Sequence, residues 1–232
     1  MAGKRPIVTP STLLPGGISA AAPAKVNRFL HVTGRRQNGY HDLETGFQFL
    51  DWHDIIHIRQ CSAPGVHLID DPMNLGETNL VVRGANLLLG HKEIGCEICI
   101  EKNLPSGAGI GGGSSDCATT LALVNHFFNL KYSESALLEI GLKLGADVPV
   151  FLHGTSCFAS GIGELFEFES WPGSIILIAN PKVSVSTKEI FQHPRLARNT
   201  PSRRVYGLNL DDASNDFESL VRELYPSCLL YT

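Results

Sequence analysis

The stretch P-S-G-A-G-I-G-G-G-S-S at 105–115 constrains this chain more than any other. It places five glycines between an apolar run (Ile94–Ile100) and a helix-like pattern (Asp116–Phe128). Glycine lacks a Cβ and tolerates positive φ, so a ligand can approach the backbone closely there. Backbone N–H groups leading into a helix N-terminus attract anions, phosphate above all. Ser114 and Ser115 suit the N-cap, and either hydroxyl could instead face a phosphate or its metal ion. A flexible surface loop is the alternative, but the flanking strand and helix patterns are those a phosphate loop requires.

Two other phosphate motifs fit less well. No Lys-Ser or Lys-Thr closes the loop, so it is not a Walker P-loop. Gly107, Gly109 and Gly112 do match G-x-G-x-x-G, but a dinucleotide fold wants an acid about 20 positions later. That region reads F-F-N-L-K-Y at 127–132, with no acid before Glu134.

At 232 residues the chain can bury a substantial core as one large domain or two small ones. A formal net charge of −4, with no basic stretch interleaved with aromatics, argues against a nucleic-acid partner. No apolar run approaches the roughly 18 residues of a membrane span. Met1–Gly17 lacks the apolar core of a signal peptide and the arginines of a transit peptide, which predicts a disordered tail and a cytoplasmic protein. Cys96 and Cys99 form a C-x-x-C, but within a strand-like run they point to opposite faces. The six cysteines are therefore expected to be reduced and mostly buried.

In chain order, Val26–Val32 alternates as a strand and puts Lys25 and Asn27 on one face, where surface solvation is the plain account of both. Asn38-Gly39 marks a turn. Tyr40 and His41 at its end are either a base-stacking platform or loop anchors. Phe47–Ile58 alternates like a hairpin turning near Asp51–Asp54. Glu77–Leu89 has helical spacing, with Leu80, Gly84, Leu87 and Leu88 near one face and Thr78 or Asn79 as cap. Beyond the loop, Cys117, Leu121, Val124 and Phe128 form an apolar stripe. A further helix, Glu134–Leu144, starts after Ser133 and stops at Gly145, a good C′ residue. Asp147 then stands alone among Ala, Val, Pro and Phe. It is either a carboxylate that needs a cation or hydroxyl partner, or a helix N-terminal aspartate ahead of Pro149. Phe158–Phe166 reads as a strand pair about a glycine turn, Ile175–Ala179 as a short buried strand, and Val185–Phe191 and Ser214–Leu224 as short helices.

Three segments together carry a resemblance: P-A-K-V-N-R-F-L at 23–30, L-P-S-G-A-G-I-G-G-G-S-S-D at 104–116 and G-A-D-V-P-V-F at 145–151. They resemble the small-molecule kinase superfamily of galactokinase, homoserine kinase, mevalonate kinase and phosphomevalonate kinase. G-Y-H-D-L at 39–43, F-Q-F-L-D at 47–51, N-L-V-V-R at 79–83, and F-Q-H-P with R-N-T-P across 191–201 are similar to one branch. That branch acts on 4-diphosphocytidyl-2-C-methyl-D-erythritol, on the methylerythritol phosphate route to isoprenoids.

The resemblance implies transfer of phosphate from ATP, with Mg²⁺, to the 2-hydroxyl of the methylerythritol group, a reaction that relies on positioning and charge stabilisation. It implies that Pro105, Ser106, Gly107, Ala108, Gly109, Ile110, Gly111, Gly112 and Gly113 surround the ATP phosphates. Ser114 and Ser115 help to hold phosphate or metal, with Ser115 the candidate Mg²⁺ ligand. Asp147 is the general base and Lys25 its charged neighbour, the two gathered with the loop amides around one γ-phosphate. Asn79 and Lys102 contact the adenosine. Asn27, Tyr40, His41, Thr187 and Phe191 line the cytidine-diphosphate pocket, where Tyr40 and Phe191 sandwich the base.

The implied fold is α+β: a disordered tail over 1–20, an ATP-binding kinase domain over 21–160 and a partial substrate-side domain over 161–232. The superfamily's third glycine motif has no counterpart after Leu224, so the chain is expected to be C-terminally truncated and, in this form, poorly stable or inactive. The implied partners are the small-molecule substrate and ATP, with no nucleic acid or membrane, in a monomer or homodimer. Another kinase of the superfamily and an inactive nucleotide-binding module are the rival readings.

Overall fold

Two long segments in which polar and apolar residues alternate over several stretches each become one strand, of 18 and 21 residues. The structure, a computed structural model, describes residues 6–71, 75–90, 93–168, 174–202 and 214–228. Its first elements are strands β1 (Thr9–Pro10), β2 (Ile18–Arg35), β3 (His41–Cys61) and β4 (Gly65–Ile69). Helix α1 (Leu80–Leu89) and strand β5 (Gly95–Glu101) lead to α2 (Gly112–Phe127), α3 (Glu134–Leu144) and α4 (Val148–His153). Strands β6 (Cys157–Ser160) and β7 (Leu165–Phe168) precede α5 (Thr187–Gln192) and α6 (Glu218–Leu224). This mixture is the α+β class expected.

The chain divides into two compact units that do not follow chain order. The first holds residues up to Ala24, Leu50–Ser106 and Gly111–Thr155; the second holds Lys25–Phe49, Gly107–Ile110 and residues from Ser156 onward. β2 and β3 each contribute one end to each unit, so a single cut near residue 160 does not describe the division. The expected tail also differs. Thr9 and Pro10 pair with Ser19 and Ile18, Leu14 is buried, and Ser11 Oγ lies 2.9 Å from His57 Nδ1. Those bonds reach far along the chain, and local composition carries no trace of them. Residues 1–5 lie outside the described residues.

In the first unit the strand order is β1-β2-β3-β5-β4. Ile55–Cys61 of β3 runs antiparallel to Gly95–Glu101, and β4 lies parallel to β5. The hairpin expected over 47–58 is not there, because β3 continues straight through it. Alternation is the same for one long strand as for two short ones, and D-W-H-D at 51–54 has no glycine or proline to force a turn. Asp54 is wholly buried and accepts the N–H groups of Asn103 and Leu104 instead.

Asn79 caps α1 by accepting Val81 N–H at 3.0 Å, a bond of about 1 kcal/mol. The buried face of α1 is Val81, Val82, Gly84, Ala85, Leu88 and Leu89, while Leu87, expected inside, is half exposed. Gly84 lets α2 approach: a Cβ there would sit 3.3 Å from Cys117 Sγ. α2 carries Cys117, Leu121, Leu123 and Val124 fully buried, and each large apolar side chain so placed contributes about 1.5–3 kcal/mol. α3 has the expected bounds and cap, Ser133 accepting Ala136 N–H at 3.2 Å. Gly145 ends it in extended backbone, with no left-handed cap.

In the second unit β6 pairs with Thr45–Phe47 of β3, and β7 pairs with β6 about a turn held by Gly161 and Gly163 at positive φ. Val32, Ile190, Leu196 and Leu220 form a small core, packed by Leu30, Phe191, Phe217 and Val221. Ile175–Ala179, expected as a buried strand, pairs with no strand among the described residues, and Ile175 and Leu177 are exposed. An apolar run becomes a strand only where a ladder partner takes up its N–H and C=O groups.

Candidate active site

The glycine loop sets the backbone directions first. Gly107, Gly109 and Gly111 have φ of 69°, 74° and 75°, a left-handed region that side chains with a Cβ rarely occupy. Gly111 is the N-cap of α2, and the first intrahelical bond in the pattern is Ser115 N–H to Gly111 O at 2.9 Å. Ser114 and Ser115, expected as caps, are therefore the third and fourth residues of the helix. Helix geometry leaves the amides of 111–114 without an intrahelical acceptor, a cluster suited to an anion.

Two oxygens at this helix start are conspicuous. Ser115 Oγ and Asp116 Oδ1 are buried and have no hydrogen-bond partner among the described residues. A buried polar atom left unpaired costs about 1–3 kcal/mol, so such atoms commonly mark a missing ligand. No group of three or more His, Cys, Asp or Glu among the described residues could hold a metal. A serine hydroxyl is an oxygen donor of the kind Mg²⁺ takes when phosphates supply its other ligands.

Lys102 lies behind the same helix start. Its Nζ is 2.5 Å from Asp54 Oδ2 and 2.9 Å from Asp116 Oδ2. Burial pulls the ammonium's pKa down, but the charges and hydrogen bonds of Asp116 and Asp54 outweigh it and raise the pKa. One cation thus serves two carboxylates. Burial pushes Asp116 from 3.8 up to about 7; Lys102 opposes this and the negative Asp54 adds to it. A Cβ at Gly112 would lie 3.7 Å from Lys102 Nζ, an ordinary contact, so this arrangement does not itself require glycine there.

Asp147 is the N-cap residue of α4, in αR geometry, with no side-chain capping bond and with proline in the first turn of the helix. It is half-buried, directly ahead of buried Val148, Pro149 and Val150. Its place ahead of Pro149 is the helix N-terminal one expected, although its side chain accepts no capping N–H there.

Lys25 lies in the second unit, and only 5% of it is exposed, so it is no solvated surface lysine. It shares the inward face of β2 with Asn27, Phe29 and His31. Its Nζ donates to Asn27 Oδ1 at 2.6 Å and to Gly109 O at 3.5 Å, and sits 5.2 Å from the centre of the Phe47 ring. Asn27 Nδ2 donates to Thr45 Oγ1 at 2.8 Å, and Thr45 donates to Phe29 O at 2.6 Å. This chain of bonds orients Asn27 so that its carbonyl oxygen, not its amide, meets the lysine. Lys25 N–H also bonds to Ile110 O at 2.9 Å, pinning the first part of the glycine loop to β2.

His41 and Phe191 stack in the same unit, ring centres 5.2 Å apart at 21°. Phe217 meets Phe191 edge-on at 4.8 Å. Tyr40 is 59% exposed and Thr187 is exposed at the first residue of α5.

A family model for the GHMP kinases N terminal domain matches residues 79–155. The 4-diphosphocytidyl-2-C-methyl-D-erythritol kinase of Shewanella denitrificans is 46% identical over 213 residues, spanning 88% of this chain and 74% of that protein. Its namesake from Vibrio cholerae is 45% identical over 208 residues, 88% of this chain and 72% of that one. This chain belongs to the 4-diphosphocytidyl-2-C-methyl-D-erythritol kinase family. A solved structure described as 4-(cytidine 5'-diphospho)-2C-methyl-D-erythritol kinase superposes with a TM-score of 0.74 at 30% identity, covering 90% of this chain and 78% of that one. The homoserine kinase of Cytophaga hutchinsonii shares the fold, with a TM-score of 0.54 at 20% identity over 77% of this chain and 60% of that chain.

Within this kinase family member, the residues expected to act together divide between the units. The second unit joins Lys25, Asn27 and Gly109, and separately His41 and Phe191. The first unit holds Lys102, the helix start with Ser114 and Ser115, and Asp147. Pro105 and Ser106 precede the loop in the first unit, while Ala108 and Ile110 belong with Gly107 and Gly109 in the second. Asn79 spends its carbonyl oxygen on capping α1. Lys102, expected at the adenosine, is paired with two carboxylates. Sequence reasoning missed both of them, Asp54 and Asp116, as well as Thr45. Asp54 lies in a strand with many other polar residues, so its local pattern did not single it out.

The raised Asp116 pKa has a checkable consequence. Because the folded value exceeds 3.8, the folded chain holds a proton between about pH 4 and 7 that the unfolded chain releases. Asp116 therefore favours folding most below that window, and stability is lost as pH rises through it. In thermal melts between pH 5 and pH 8, Asp116→Asn should flatten the decline by about 1–2 kcal/mol, or roughly 5 °C in Tm. Parallel curves for both proteins would exclude this account.

Proposed function

We propose that this chain transfers the γ-phosphoryl group of ATP to the 2-hydroxyl of 4-diphosphocytidyl-2-C-methyl-D-erythritol, a step of the methylerythritol phosphate route. The observation that carries the reaction class is the start of α2, where a left-handed glycine, a turn of amides without intrahelical acceptors and a buried serine hydroxyl unpartnered among the described residues coincide. The choice of substrate rests on relatives of that name at 45–46% identity.

In the transfer, the substrate oxygen bonds to the γ-phosphorus as the bond to the β-γ bridging oxygen breaks. ADP leaves with the bonding pair, and the hydroxyl proton passes to the Asp147 carboxylate. A carboxylate is a weak base, so the proton moves late, once the new P–O bond has acidified the hydroxyl. Lys25 steadies charge on the moving phosphoryl group. Asn27 accepts from that ammonium and Thr45 fixes Asn27, so the lysine reaches the reaction with its geometry already set. The amides at the start of α2 hold phosphate oxygens. Ser115 would hold Mg²⁺, which would supply positive charge to offset that of the ATP phosphates.

The test is a phosphorylation assay with Mg·ATP and 4-diphosphocytidyl-2-C-methyl-D-erythritol, run on the wild type and on Ser115→Ala. The wild type should convert the substrate stoichiometrically with ADP. In Ser115→Ala the Mg²⁺ concentration for half-maximal rate should rise roughly 10-fold, while Tm holds or increases because a buried orphan hydroxyl is gone. No transfer to this substrate by the wild type would reject the assignment. An unchanged Mg²⁺ dependence would remove Ser115 from the metal site.

A further inference from the structure

Arg198 lies in the second unit and bonds to no carboxylate among the described residues. Its Nε–H donates to His41 Nε2 at 3.0 Å. Nη2 donates to the carbonyls of Phe191 at 3.1 Å and His193 at 2.7 Å, and Nη1 to those of Pro194 at 3.4 Å and Leu196 at 3.2 Å. A guanidinium has five N–H donors and no acceptor, and here all five are spent. Four hold the turn that follows α5, and the fifth meets a ring nitrogen.

That fifth bond settles a chemical question. Arginine stays protonated, so the nitrogen facing it must present a lone pair. His41 Nε2 is therefore unprotonated, and the proton of the neutral ring sits on Nδ1. We propose that Arg198 is a positioning residue that fixes His41 as the neutral Nδ1–H tautomer, so that the ring edge beside Phe191 offers a hydrogen-bond donor to an acceptor atom of the substrate's pyrimidine. The inference rests on the substrate reading above, because it needs a cytidine-bearing ligand.

The surroundings agree. Protonating His41 would set one N–H against another, and the charged groups that face it are both cations, Arg198 and Arg35 at the end of β2. Burial first, then these two charges, holds its pKa below the ordinary 6.5. Nδ1 makes no hydrogen bond among the described residues, and the ring is kept from turning by its stack on Phe191, which Phe217 braces from the side. α5 thus contributes an apolar face, and Arg198 determines what the edge of the stacked ring offers.

A residue that merely staples a turn would affect stability alone, so the test must read the tautomer. Histidine-selective nitrogen NMR on the full chain should find His41 as Nδ1–H, neutral at pH 7. Arg198→Lys keeps the charge but not the five-donor fork, and should let the Nε2–H form appear. In the same variant KM for the cytidine substrate should rise roughly tenfold, with kcat falling less than threefold and KM for ATP unmoved. A second pair guards against misfolding: Asn at position 41 places an N–H near Nδ1, whereas Gln places a carbonyl near Nε2. Binding of free cytidine diphosphate should therefore survive better in His41→Asn than in His41→Gln. A wild-type Nε2–H tautomer, a wild-type tautomer and KM in Arg198→Lys, or the reverse order of the two His41 variants would each overturn the inference and leave the kinase reading intact. A wild type with the Nδ1–H tautomer that neither phosphorylates the substrate nor binds cytidine diphosphate would overturn the substrate reading and, with it, the pyrimidine acceptor.

Discussion

Asp147→Asn should lower kcat by roughly 10²–10⁴ while ATP still binds and the protein still folds. Asparagine has the shape of aspartate and is as good an N-cap, so any contribution of this residue to the start of α4 is retained. What the amide cannot do is accept a proton from a hydroxyl. The substitution therefore separates the two accounts of Asp147 cleanly. A structural cap predicts normal turnover, and a general base predicts its loss at unchanged Tm. The measurement is steady-state turnover beside a calorimetric titration with Mg·ATP. A fall of less than tenfold in kcat, with folding intact, would take Asp147 out of the proton-transfer role.

Lys25 shows how far local pattern reaches. Its shared face with Asn27 follows from strand periodicity alone, and the 2.6 Å bond between the two is what that face predicts. Periodicity could not decide whether the face was wet or buried, since that depends on what covers it. Residues such as Gly107 and Gly109, Ser133 and Asn79 were equally legible, because turns and caps are made by neighbours in sequence. The illegible parts are all long-range. Lys102 meets Asp54 across 48 positions, and Arg198 meets His41 across 157. Nothing near Lys102 in the sequence signals that two carboxylates claim it, and the resemblance alone places it at the adenosine. Likewise the exposed Tyr40 was paired with Phe191 as a sandwich. In the structure His41 takes one face of that phenyl ring and Phe217 takes its side. The alternation of 47–58 misled for another reason: a pattern of period two carries no information about where a strand ends.

Asp54→Ala should be the most destabilising single change in the first unit's polar interior. The carboxylate is wholly buried and satisfies three donors: Asn103 N–H at 2.6 Å, Leu104 N–H at 2.8 Å and Lys102 Nζ. Removing it strands two amides and leaves a half-buried ammonium with Asp116 alone. Breaking one side of such a pair costs about 3–5 kcal/mol, which for a chain this size is roughly 10 °C in Tm. The same donors fix the segment 102–104 that leads into the glycine loop, so KM for ATP should rise with the loss of stability. Asp54→Asn divides the two effects. Its carbonyl can still accept from Asn103 and Leu104, but its NH₂ now faces the ammonium of Lys102. It should lose less stability than the alanine variant and still perturb Lys102. It also removes the negative neighbour that helps to push up Asp116, so the pH dependence assigned to Asp116 should weaken in this variant. Asp54→Asn combined with Asp116→Asn should be less stable at pH 8 than the sum of the two single effects, because together they leave the Lys102 ammonium with no carboxylate. Strict additivity, or an alanine variant within about 1 kcal/mol of wild type, would show that Asp54 is not what holds this cluster together.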